Sequence, residues 1–576
     1  MRLLNLVVQN FRGIKELTWS PPAEQAIHCL VGPCDARKTT VLEAVELVLS
    51  DRWAPPLTDA DFYEGDLSAP IVIEATVGNL PASLEAEDGL GHWIRGWDRE
   101  KREFVDDPED THDFVLTIRV EVDRSLEAVW CVVKPGAEDR RISGDQRAAL
   151  GASWLGNDPE RHLTWARGSA LWRTTQRTAK SKLLLADALR AARTAVASSA
   201  ELGEFATAAQ EVQKMAMTLG VRTTSGYAPG LDLRSSKMGS GMLSLHDATV
   251  SALQAGMGTR RLLALAVQRL AVPTGAILLV DEIEHGLEPH RLRRLVATLR
   301  GESTLEGPAT AHAVGHALIT THSPVAIVEL KAPELQVVRE DRGKISIGAV
   351  PQQLQDVVRR AAEAFLARKV IVCEGRLEIG LCRALEKVWA KRHADMPLAH
   401  QGVALVDGGG HSAPTVAQSF QGLGYATALF MDHDDTAVDA SVVAARAAGV
   451  RVARWTDPVC TEERLATDIP LAMLDKVVTW ATNAWGEQPI LDAVRGKLGV
   501  PALVGRIPSE WIGGGANEQQ VRRAVGAASK SHKHGWYKQI EAAEQIGAFV
   551  VEALPTIATS DLAIRLAELE AWIYEP

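Results

Sequence analysis

The sequence predicts an α/β protein with more than one domain. With 576 residues the chain is longer than one hydrophobic core usually supports, so we expect two to four domains. From about residue 357 onward, strands alternate with helices, as in "KVIVCEGRLEIGLCRALEKVW" followed by "GVALVDGGG". This alternation is typical of a parallel sheet covered by helices. The N-terminal part adds β-rich segments such as "APIVIEATV" and "FVLTIRVEVD".

The composition excludes several classes of protein. An apolar content of 46% and a charged content of 23% are ordinary for a globular chain. No apolar run approaches bilayer length and the N-terminus lacks a signal-peptide core, so we expect a cytoplasmic protein without a membrane. Six scattered cysteines without a C-x-x-C pair argue against disulfides and structural zinc. A net charge of −11 argues against indiscriminate coating of nucleic acid, although it allows a local basic channel.

The pattern along the chain predicts four segments. Residues 1–165 are β-rich with one early helix, and residues 166–235 carry long helices with apolar residues on more than one face. Such helices usually pack against a partner helix or subunit. Strand and helix resume over residues 236–356, and residues 357–576 contain the parallel α/β layer followed by helical elements.

The early helix follows a loop that resembles a phosphate-binding loop. In "LVGPCDARKTTVLEAVELVL" a strand feeds a glycine turn and then a helix, which gathers backbone N–H groups and the positive helix end around an anion. Gly32, Lys38 and Thr39 fit the pattern G-x-x-x-x-G-K-[ST], and Thr40 follows. We expect Lys38 to contact the β- and γ-phosphates of a nucleotide and Thr39 to ligate its magnesium ion.

One position of this loop departs from the pattern. Arg37 stands where the second glycine is expected. Glycine suits that position because the backbone passes close to phosphate and can adopt conformations that other residues disfavour. The sequence therefore predicts a nucleotide site that is present but weakened, with slow or conditional hydrolysis.

Two later strands end in residues that suit the same chemistry. In "AILLVDEIEHGLEPH" an apolar strand delivers Asp281 and Glu282, which we expect to hold magnesium through water and to polarise the attacking water, respectively. In "ALITTHSP" the strand ends near His322, which can contact the γ-phosphate. Upstream, the loop in "SALQAGMGTRRLL" offers donors to a phosphate from another subunit: Gln254, Gly256, Gly258 and Thr259.

These elements, in this order, resemble an ABC-type ATPase head of the kind found in chromosome-maintenance and recombination proteins. The resemblance assigns Walker A to the loop at Lys38, Walker B to Asp281 and Glu282, the D-loop to 286–289, the switch histidine to His322, and a degenerate signature motif to 256–259. Residues 57–66 stand where the Q-loop would be, but they contain no glutamine. Because such heads hydrolyse ATP between two subunits, the resemblance implies ATP with Mg2+ and a homodimer, or a higher oligomer, with 166–235 as the dimerisation arm.

The C-terminal part carries a second set of functional residues. A strand in "VIVCEGRLEIGLCRAL" ends at Glu374, and Glu378 follows four residues later at the start of a helix, so that both carboxylates can face one cavity. Another strand, in "ATALFMDHDD", ends in Asp432-x-Asp434, a spacing that puts both side chains on one side of an extended backbone. The segment "VALVDGGG" supplies a strand and a glycine turn between them.

This arrangement resembles the Toprim fold of topoisomerases, primases and recombination nucleases. The resemblance implies that Glu374, Glu378, Asp432 and Asp434 bind one or two Mg2+ ions, with Mn2+ or Ca2+ as alternatives. Two such ions activate the attacking water and stabilise the leaving oxygen in phosphodiester cleavage.

An ABC-type head followed by a Toprim domain resembles the OLD (overcoming lysogenisation defect) nuclease family. Nucleases of this family also carry an acidic segment after the D-x-D strand, which "DPVCTEERLATDIP" matches, and a lysine near the end of the chain, which "SKSHKHGWYKQIE" matches. The acidic candidates are Thr461, Glu462, Glu463 and Asp468, with Glu462 preferred as ligand of the second metal. Lys533 and Lys538 are alternative candidates for stabilising charge on the phosphate. The motif spacing is closer to the subgroup encoded beside a helicase, which suggests a helicase partner.

The resemblance implies a metal-dependent DNA endonuclease with an ATP-binding head, in phage defence or DNA processing. The alternative is a nucleotide-gated DNA-binding or sensor protein with weak or absent nuclease activity. The complete set of four carboxylates favours the enzyme. A transporter ATPase would leave the Toprim-like part unexplained, and a topoisomerase is disfavoured because none of the five tyrosines lies in a recognisable nucleophile context.

Overall fold

The fold is given by a computed structural model of the chain. The structure describes residues 1–575 apart from the following positions: 51–54, 86–89, 102, 110, 151, 157, 166–168, 172–186, 188–190, 192–206, 208–243, 248–249, 272–274, 302–314 and 531–534. The helical segment predicted at 166–235 therefore lies almost entirely outside the described residues, and its role as a dimerisation arm stays a prediction.

The described residues form the following strands, in chain order: β1 (Arg2–Phe11), β2 (Ile14–Trp19), β3 (Ile27–Val31), β4 (Ile71–Gly78), β5 (Arg95–Asp98), β6 (Glu103–Val105), β7 (Asp113–Val122), β8 (Ala128–Val133), β9 (Arg140–Arg141), β10 (Ser153–Leu155), β11 (His246–Asp247), β12 (Val250–Ser251), β13 (Ile277–Val280), β14 (His316–Thr320), β15 (Leu335–Asp341), β16 (Lys344–Ala349), β17 (Lys369–Cys373), β18 (Val403–Asp407), β19 (Ala426–Met431) and β20 (Arg451–Arg454).

The same residues form the following α-helices: α1 (Lys38–Leu49), α2 (Ala82–Glu85), α3 (Gly144–Ala149), α4 (Met257–Ala271), α5 (Pro289–Arg300), α6 (Pro324–Glu329), α7 (Gln355–Arg360), α8 (Arg376–Arg392), α9 (Ala413–Gly422), α10 (Asp439–Ala447), α11 (Thr461–Asp468), α12 (Leu471–Trp485), α13 (Glu487–Leu498), α14 (Pro508–Gly513), α15 (Glu518–Ser529), α16 (Ile540–Ala553) and α17 (Asp561–Ile573).

The chain divides into two compact units. The first unit comprises Met1–Val7, Leu42–Phe62 and Asp66–Thr320, and the second comprises Val8–Val41, Tyr63–Gly65 and Thr321–Pro576. The segment that contains Lys38 thus belongs to the second unit, together with the whole C-terminal part of the chain.

The first unit contains antiparallel and parallel strand pairs. β4 pairs with β7 in antiparallel register, with Ile71 opposite Val122 and Gly78 opposite Val115, and β5 and β8 extend the pairing from β7. β13 lies between β10 and β14, and both of its pairings are parallel. Every residue of β13 and β14 is buried, as expected for strands covered on both faces.

The second unit contains two sets of paired strands. In one set, β3 and β15 are parallel, β15 and β16 are antiparallel, and β16 and β2 are parallel. The other is a four-stranded, fully parallel sheet in the order β18-β17-β19-β20. Helices α8, α9 and α10 connect its successive strands, which is the alternation that the sequence predicts. The predicted α/β class is confirmed, and this parallel sheet fits the predicted Toprim-like domain.

The strand order of the parallel sheet fixes where a ligand site is expected. The chain moves from β17 outward to β18 and then crosses back to β19 on the other side of β17. In open α/β sheets a reversal of this kind leaves a crevice at the carboxyl ends of the two strands on either side of it. The crevice here lies beyond the ends of β17 and β19, where the sequence places Glu374 and Asp432.

Helices of the C-terminal part hold α8 firmly against the core. Gly380 and Gly547 let α8 and α16 approach closely, because a Cβ at either position would clash with Ala543 or Ala384, respectively. Within the described residues no single helix is long and apolar enough to cross a membrane; Ile540–Thr556 and Asp561–Ile573 meet the length and composition criteria only as a pair bent by 100°. Both members of that pair contribute buried side chains to the hydrophobic core.

Candidate metal centre and phosphate-binding loop

The ends of β17 and β19 bring Glu374 and Asp432 together. The parallel register sets Cys373 opposite Phe430, and the N–H of Glu374 donates to the carbonyl oxygen of Phe430 over 2.9 Å. The N–H of Asp432 in turn donates to Oε2 of Glu374 over 2.9 Å. The two predicted carboxylates therefore share one edge of the sheet because their strands are hydrogen-bonded neighbours.

Helix α8 places the third predicted carboxylate beside the first two. Glu378 is the third residue of the helix, and its Oε2 accepts the N–H of Gly375 over 3.0 Å, which caps the helix N-terminus. Its Oε1 accepts the hydroxyl of Thr461 over 2.7 Å, and only 5% of Glu378 is exposed. The Thr461 hydroxyl accepts the indole N–H of Trp455 over 3.1 Å, so its own proton points to Glu378.

Hydrogen bonds fix the D-x-D segment. The N–H of Asp434 donates to Oδ1 of Asp432 over 3.3 Å, whereas the intervening His433 contacts the carbonyl oxygen of Trp455 through Nδ1 at 3.0 Å. Buried Arg454 fixes the backbone of this segment, because its Nε donates to the carbonyl oxygen of Asp432 over 2.8 Å.

Glu374, Glu378 and Asp432 line a cavity of about 450 Å³. Its polar lining contains three of the four predicted carboxylates, the preferred acidic candidate Glu462 and one of the two predicted lysines, Lys538. Glu463 instead accepts the N–H of Cys460 over 3.3 Å and caps α11, and Asp468 accepts hydrogen bonds from Arg464 and from the N–H of Leu562. Lys533 lies outside the described residues.

Two residues at this site escape the sequence reasoning. Asp407 ends β18 and lines the cavity, whereas the sequence pattern predicts only a strand and a glycine turn at this position. The rule that identified Glu374, an acid at the carboxyl end of a parallel strand, also applies to Asp407. Lys530 follows α15 and donates a hydrogen bond to Oδ2 of Asp434. No local pattern separates Lys530 from the other lysines of its segment, because its partner lies 96 positions earlier in the chain.

Burial and mutual repulsion raise the pKa of the central carboxylates. Burial, followed by the charge of Glu378, raises the pKa of Glu374 to about 7. Burial raises the pKa of Glu378 to about 7, although the Thr461 hydrogen bond opposes the shift. Burial, followed by the charges of Glu374 and Asp434, raises the pKa of Asp432 to about 8. Such clustered acids favour either a bound proton or a bound cation.

The outer carboxylates differ from the central ones. Burial raises the pKa of Glu462. Partial burial also acts to raise the pKa of Asp434, but the hydrogen bonds from Lys530 and Asp432 outweigh it and the pKa is lowered. The pKa of Lys530 is raised by Asp434 in spite of the opposing effect of burial.

The donor set fits a divalent cation that prefers oxygen ligands. Carboxylates are the ligands that Mg2+, Mn2+ and Ca2+ take in proteins, and a cation relieves the repulsion that raises these pKa values. In the described part of the chain, no group of three or more acidic, histidine or cysteine side chains is arranged so that it could hold a metal ion in the positions that the structure gives, although several of them line the same cavity. The carboxylates instead accept hydrogen bonds from neighbouring amides, from Thr461 and from Lys530.

The phosphate-binding loop is built in the second unit. β3 ends at Val31, and Gly32 adopts a φ of 144°, where a Cβ would lie 2.6 Å from the carbonyl oxygen of Val338. Helix α1 begins at Lys38, with Thr39 and Thr40 in its first turn. The Lys38 ammonium donates to the carbonyl oxygens of Gly32 and Pro33 over 3.1 and 2.8 Å and is almost fully buried. The Lys38 ammonium thus contacts the first two residues of the loop that is predicted to bind phosphate.

Arg37 has the backbone conformation of the glycine that it replaces. Its φ is 65°, in the left-handed region that favours glycine. Its side chain packs on the turn between β1 and β2, where a Cβ on Gly13 would clash with the guanidinium. The structure thus supports the backbone part of the prediction and directs the side chain toward Gly13.

The predicted Walker B acids lie in the first unit. The Thr320 hydroxyl donates to Oδ1 of Asp281 and accepts the N–H of Glu282, each over 2.7 Å. The carbonyl oxygens of both acids accept hydrogen bonds from the guanidinium of Arg261. Asp281 is buried, whereas the Glu282 carboxylate is partly exposed beside His285. Thr320 of β14 and Arg261 of α4 therefore fix both acids.

The remaining predicted nucleotide residues lie in loops or in the first turn of α4. Gly256 immediately precedes α4, and Gly258 packs on Gly286, where a Cβ would clash with the carbonyl oxygen. The predicted signature and D-loop segments are therefore in contact within the first unit. His322, in the second unit, lies two residues before α6 begins at Pro324.

In comparisons with known proteins, the predicted nucleotide-binding part and the predicted Toprim-like part match two different family models. Residues 238–329 match the family model described as "AAA domain, putative AbiEii toxin, Type IV TA system". Residues 365–434 match the model described as "Overcoming lysogenization defect protein-like, TOPRIM domain". The chain thus carries a segment that matches an ATPase domain, followed by a segment that matches a Toprim domain. This is the architecture of the OLD family, as the sequence predicted, and it supports a nuclease-type function with ATP binding.

Other comparisons add little. A search of curated proteins finds no match. Two similar solved structures are an Smc head bound to the C-terminal winged-helix domain of ScpA, at 14% identity, and an Smc head with an extended coiled coil bound to the C-terminal domain of ScpA from Pyrococcus furiosus, at 13% identity. Each alignment covers 62% of this chain, and 100% and 99% of the two structures, with a TM-score of 0.34. A likeness at this score is too weak to support an inference.

Proposed function

We propose that the chain is a metal-dependent DNA endonuclease whose C-terminal carboxylate cavity hydrolyses phosphodiester bonds under the control of an ATP-binding head. The observation that carries the proposal is the convergence of Glu374, Glu378 and Asp432 on one cavity at the reversal of strand order, each with a raised pKa. A structural role for this cluster is disfavoured, because buried carboxylates without a cation destabilise a fold.

The cavity residues have distinct roles in this proposal. Glu374, Asp432 and Asp434 hold one cation, and Glu378 with Glu462 contributes to a second, with Asp407 as a further oxygen donor at the rim. When bound, the cations supply Lewis acidity for the attacking water and the leaving oxygen. Thr461 orients the Glu378 carboxylate, and Arg454 fixes the backbone of the D-x-D segment.

Two lysines supply positive charge for the phosphodiester. Lys530 neutralises Asp434 and sets its pKa, while Lys538 lines the cavity where the substrate phosphate would enter. An ammonium group so placed stabilises the negative charge that develops on the phosphate oxygens.

The head binds ATP with Mg2+ in this proposal. The loop from Gly32 to Thr40 holds the phosphates, and Lys38 exchanges its loop carbonyl partners for phosphate oxygens. The roles of Asp281, Glu282, His322 and Gly256 rest on the sequence motifs, as do the homodimer, a helicase partner and a role in phage defence or DNA processing.

The experiment that tests the nuclease is cleavage of a supercoiled plasmid with Mg2+ or Mn2+, with and without ATP. Wild type is compared with Asp432→Ala and with Glu552→Gln, a control that removes an exposed acid paired with Lys476 far from the cavity. We expect wild type and the control to cleave and Asp432→Ala to lose cleavage. Equal cleavage by Asp432→Ala would show that the activity lies elsewhere. Nucleotide-dependent DNA binding without any cleavage would support the sensor alternative instead.

A further inference from the structure

A second cavity, of about 600 Å³, follows the outer edge of the parallel sheet in the second unit. Its floor includes residues 403–405 of β18, which pairs only with β17 among the described strands. Its walls come from α8 and from residues 357–367. We call this cavity the edge groove. The outward backbone groups of an edge strand can meet a ligand where nothing else pairs with them. In β18 the N–H of Val403 already donates to the carbonyl oxygen of Leu398 over 3.1 Å.

The edge groove adjoins the carboxylate cavity. Arg376, the first residue of α8, and Asp407, the last residue of β18, line both. A ligand in the edge groove that extends past these two residues, toward the carboxyl ends of the strands, would approach the residues proposed to hold the metals. The shared residues relate the groove to the substrate of that site.

Three exposed arginines line the edge groove: Arg360, Arg376 and Arg383. Among the described residues, Arg360 donates through Nε to a carbonyl oxygen of its own helix at 3.4 Å, and Arg383 forms an exposed ion pair with Glu544, a type worth little in water. Three acids also line the groove: Glu363, Glu386 and Asp407. One Glu386 oxygen accepts the N–H of Leu398, and one Asp407 oxygen accepts the N–H of Gly409. The guanidinium groups thus retain donors in the fork geometry that suits phosphate.

We infer that the edge groove binds the sugar-phosphate backbone of a single DNA strand and leads it into the carboxylate cavity. This inference rests on the proposed nuclease function. A cavity of this volume takes a ligand of drug-like size, which corresponds to about two nucleotides of one strand and excludes a duplex. Among the described residues no aromatic side chain lines the groove, so the contacts we propose are to the nucleic acid backbone and are independent of sequence.

An extended peptide that adds to β18 is the competing occupant, because edge strands also capture peptides. The arginines of the edge groove, and the adjoining cavity that is proposed to cleave phosphodiesters, favour the nucleic acid strand. The inference implies a substrate with a single-stranded end, flap or unpaired region at the cleavage point.

The test measures the salt dependence of DNA binding. A 5′-labelled 12-nucleotide single strand and the matching duplex are titrated with the full chain in Ca2+, and binding is followed by fluorescence anisotropy at several salt concentrations. The variant is Arg360→Ala/Arg383→Ala. The control, Arg359→Ala/Lys387→Ala, removes two exposed charges from the same two helices at positions that do not line the groove.

Each phosphate contact on a single strand contributes about 0.7 to the slope of log affinity against log salt. We expect the variant to lower this slope by about 1.4 and to weaken single-strand binding at least fivefold, with little change in duplex binding. The control should match wild type in both respects. An unchanged slope in the variant would overturn the inference. An equal effect of the control variant, or an equal loss of duplex binding, would also overturn it and would point to general electrostatics.

A separate measurement distinguishes failure of the inference from failure of the proposed function. Wild type is assayed with Mn2+ on bis(p-nitrophenyl) phosphate, a diester too small to need the edge groove, and on a flap-containing oligonucleotide. Hydrolysis of both with an unchanged salt slope in the variant would refute the edge groove alone. The expected slope change without any hydrolysis would retain the groove as a strand-binding site and refute the nuclease.

Discussion

The hydroxyl of Thr461 donates a hydrogen bond to Oε1 of Glu378 over 2.7 Å. The ionised carboxylate can only accept, and the same hydroxyl accepts the indole N–H of the buried Trp455, so the hydroxyl proton is directed to Glu378. A hydrogen bond to the ionised form lowers the pKa of a carboxylic acid, whereas burial raises it. Thr461 therefore keeps Glu378 ionisable near neutral pH although the residue is almost fully enclosed.

Thr461→Val should shift the pH dependence of cleavage. Loss of a hydrogen bond to a charged group costs about 1.5 to 3 kcal/mol, which corresponds to a rise of about one to two units in the pKa of Glu378. We expect plasmid cleavage at pH 7 to fall about tenfold or more and to recover largely at pH 9. Thr461→Ser, which keeps the hydroxyl, should retain the wild-type profile. An equal loss by Thr461→Val at every pH would argue against this role.

Wild-type cleavage should depend on pH and metal concentration together. Glu374 and Glu378, with pKa values of about 7, and Asp432, with a pKa of about 8, must release protons before they bind a cation. At limiting Mg2+ we expect cleavage to be low at pH 6 and to rise up to pH 9. Because protons and cations compete, a tenfold increase in Mg2+ should move the midpoint to lower pH. A midpoint independent of Mg2+ would contradict competition at these residues.

Asp432→Asn should stabilise the metal-free protein at alkaline pH. The folded-state pKa of Asp432 is raised, so the stability due to its proton is present below the unfolded-state pKa and is lost as the pH rises through about 8. In EDTA the Tm of wild type should fall between pH 5 and pH 9, and that of Asp432→Asn should fall less. Mg2+ should raise the Tm of wild type at pH 8 more than that of the variant. Scanning fluorimetry measures all three effects, and a variant less stable than wild type at pH 9 would exclude electrostatic strain at Asp432.

The positions of the strands made most of the carboxylate site predictable. Apolar runs ending in Glu374 and in Asp432 predict two carboxylates at one edge, and parallel pairing of neighbouring strands delivers them. Lys530 was not predictable, because its contact with Asp434 depends on how the C-terminal helices pack across 96 positions of chain. Asp407 was predictable from the same edge rule but was obscured by the glycine turn that follows it. The choice between Glu462 and Glu463 depended on the start of α11, which assigns Glu463 to capping.

Arg37→Gly should improve nucleotide binding. Arg37 holds a φ of 65°, in the region that favours glycine, and it adds a side chain where the loop backbone is predicted to pass close to phosphate, so glycine should let the phosphates approach more closely. We expect the affinity for fluorescent ATP or the rate of phosphate release to rise severalfold. Arg37→Ala removes the contact with Gly13 but keeps a non-glycine residue at this φ, so it separates the effect of the side chain from that of the backbone conformation. Lys38→Ala is the control that should lose turnover. A clear loss of both affinity and turnover in Arg37→Gly would show that the arginine side chain assists the nucleotide.

The two lysines of the carboxylate site should differ in how their loss depends on pH. Lys530 lowers the pKa of Asp434, so Lys530→Met should raise that pKa and reduce cleavage most strongly below pH 7, with partial recovery as the pH rises. Lys530→Arg keeps the positive charge and should retain most of the activity. Lys538 lines the cavity without this pairing, so Lys538→Met should lower the cleavage rate by a similar factor across pH 6 to 9. Initial rates of plasmid nicking over this range separate the two roles, and identical profiles for both methionine variants would show that the lysines act on the same group.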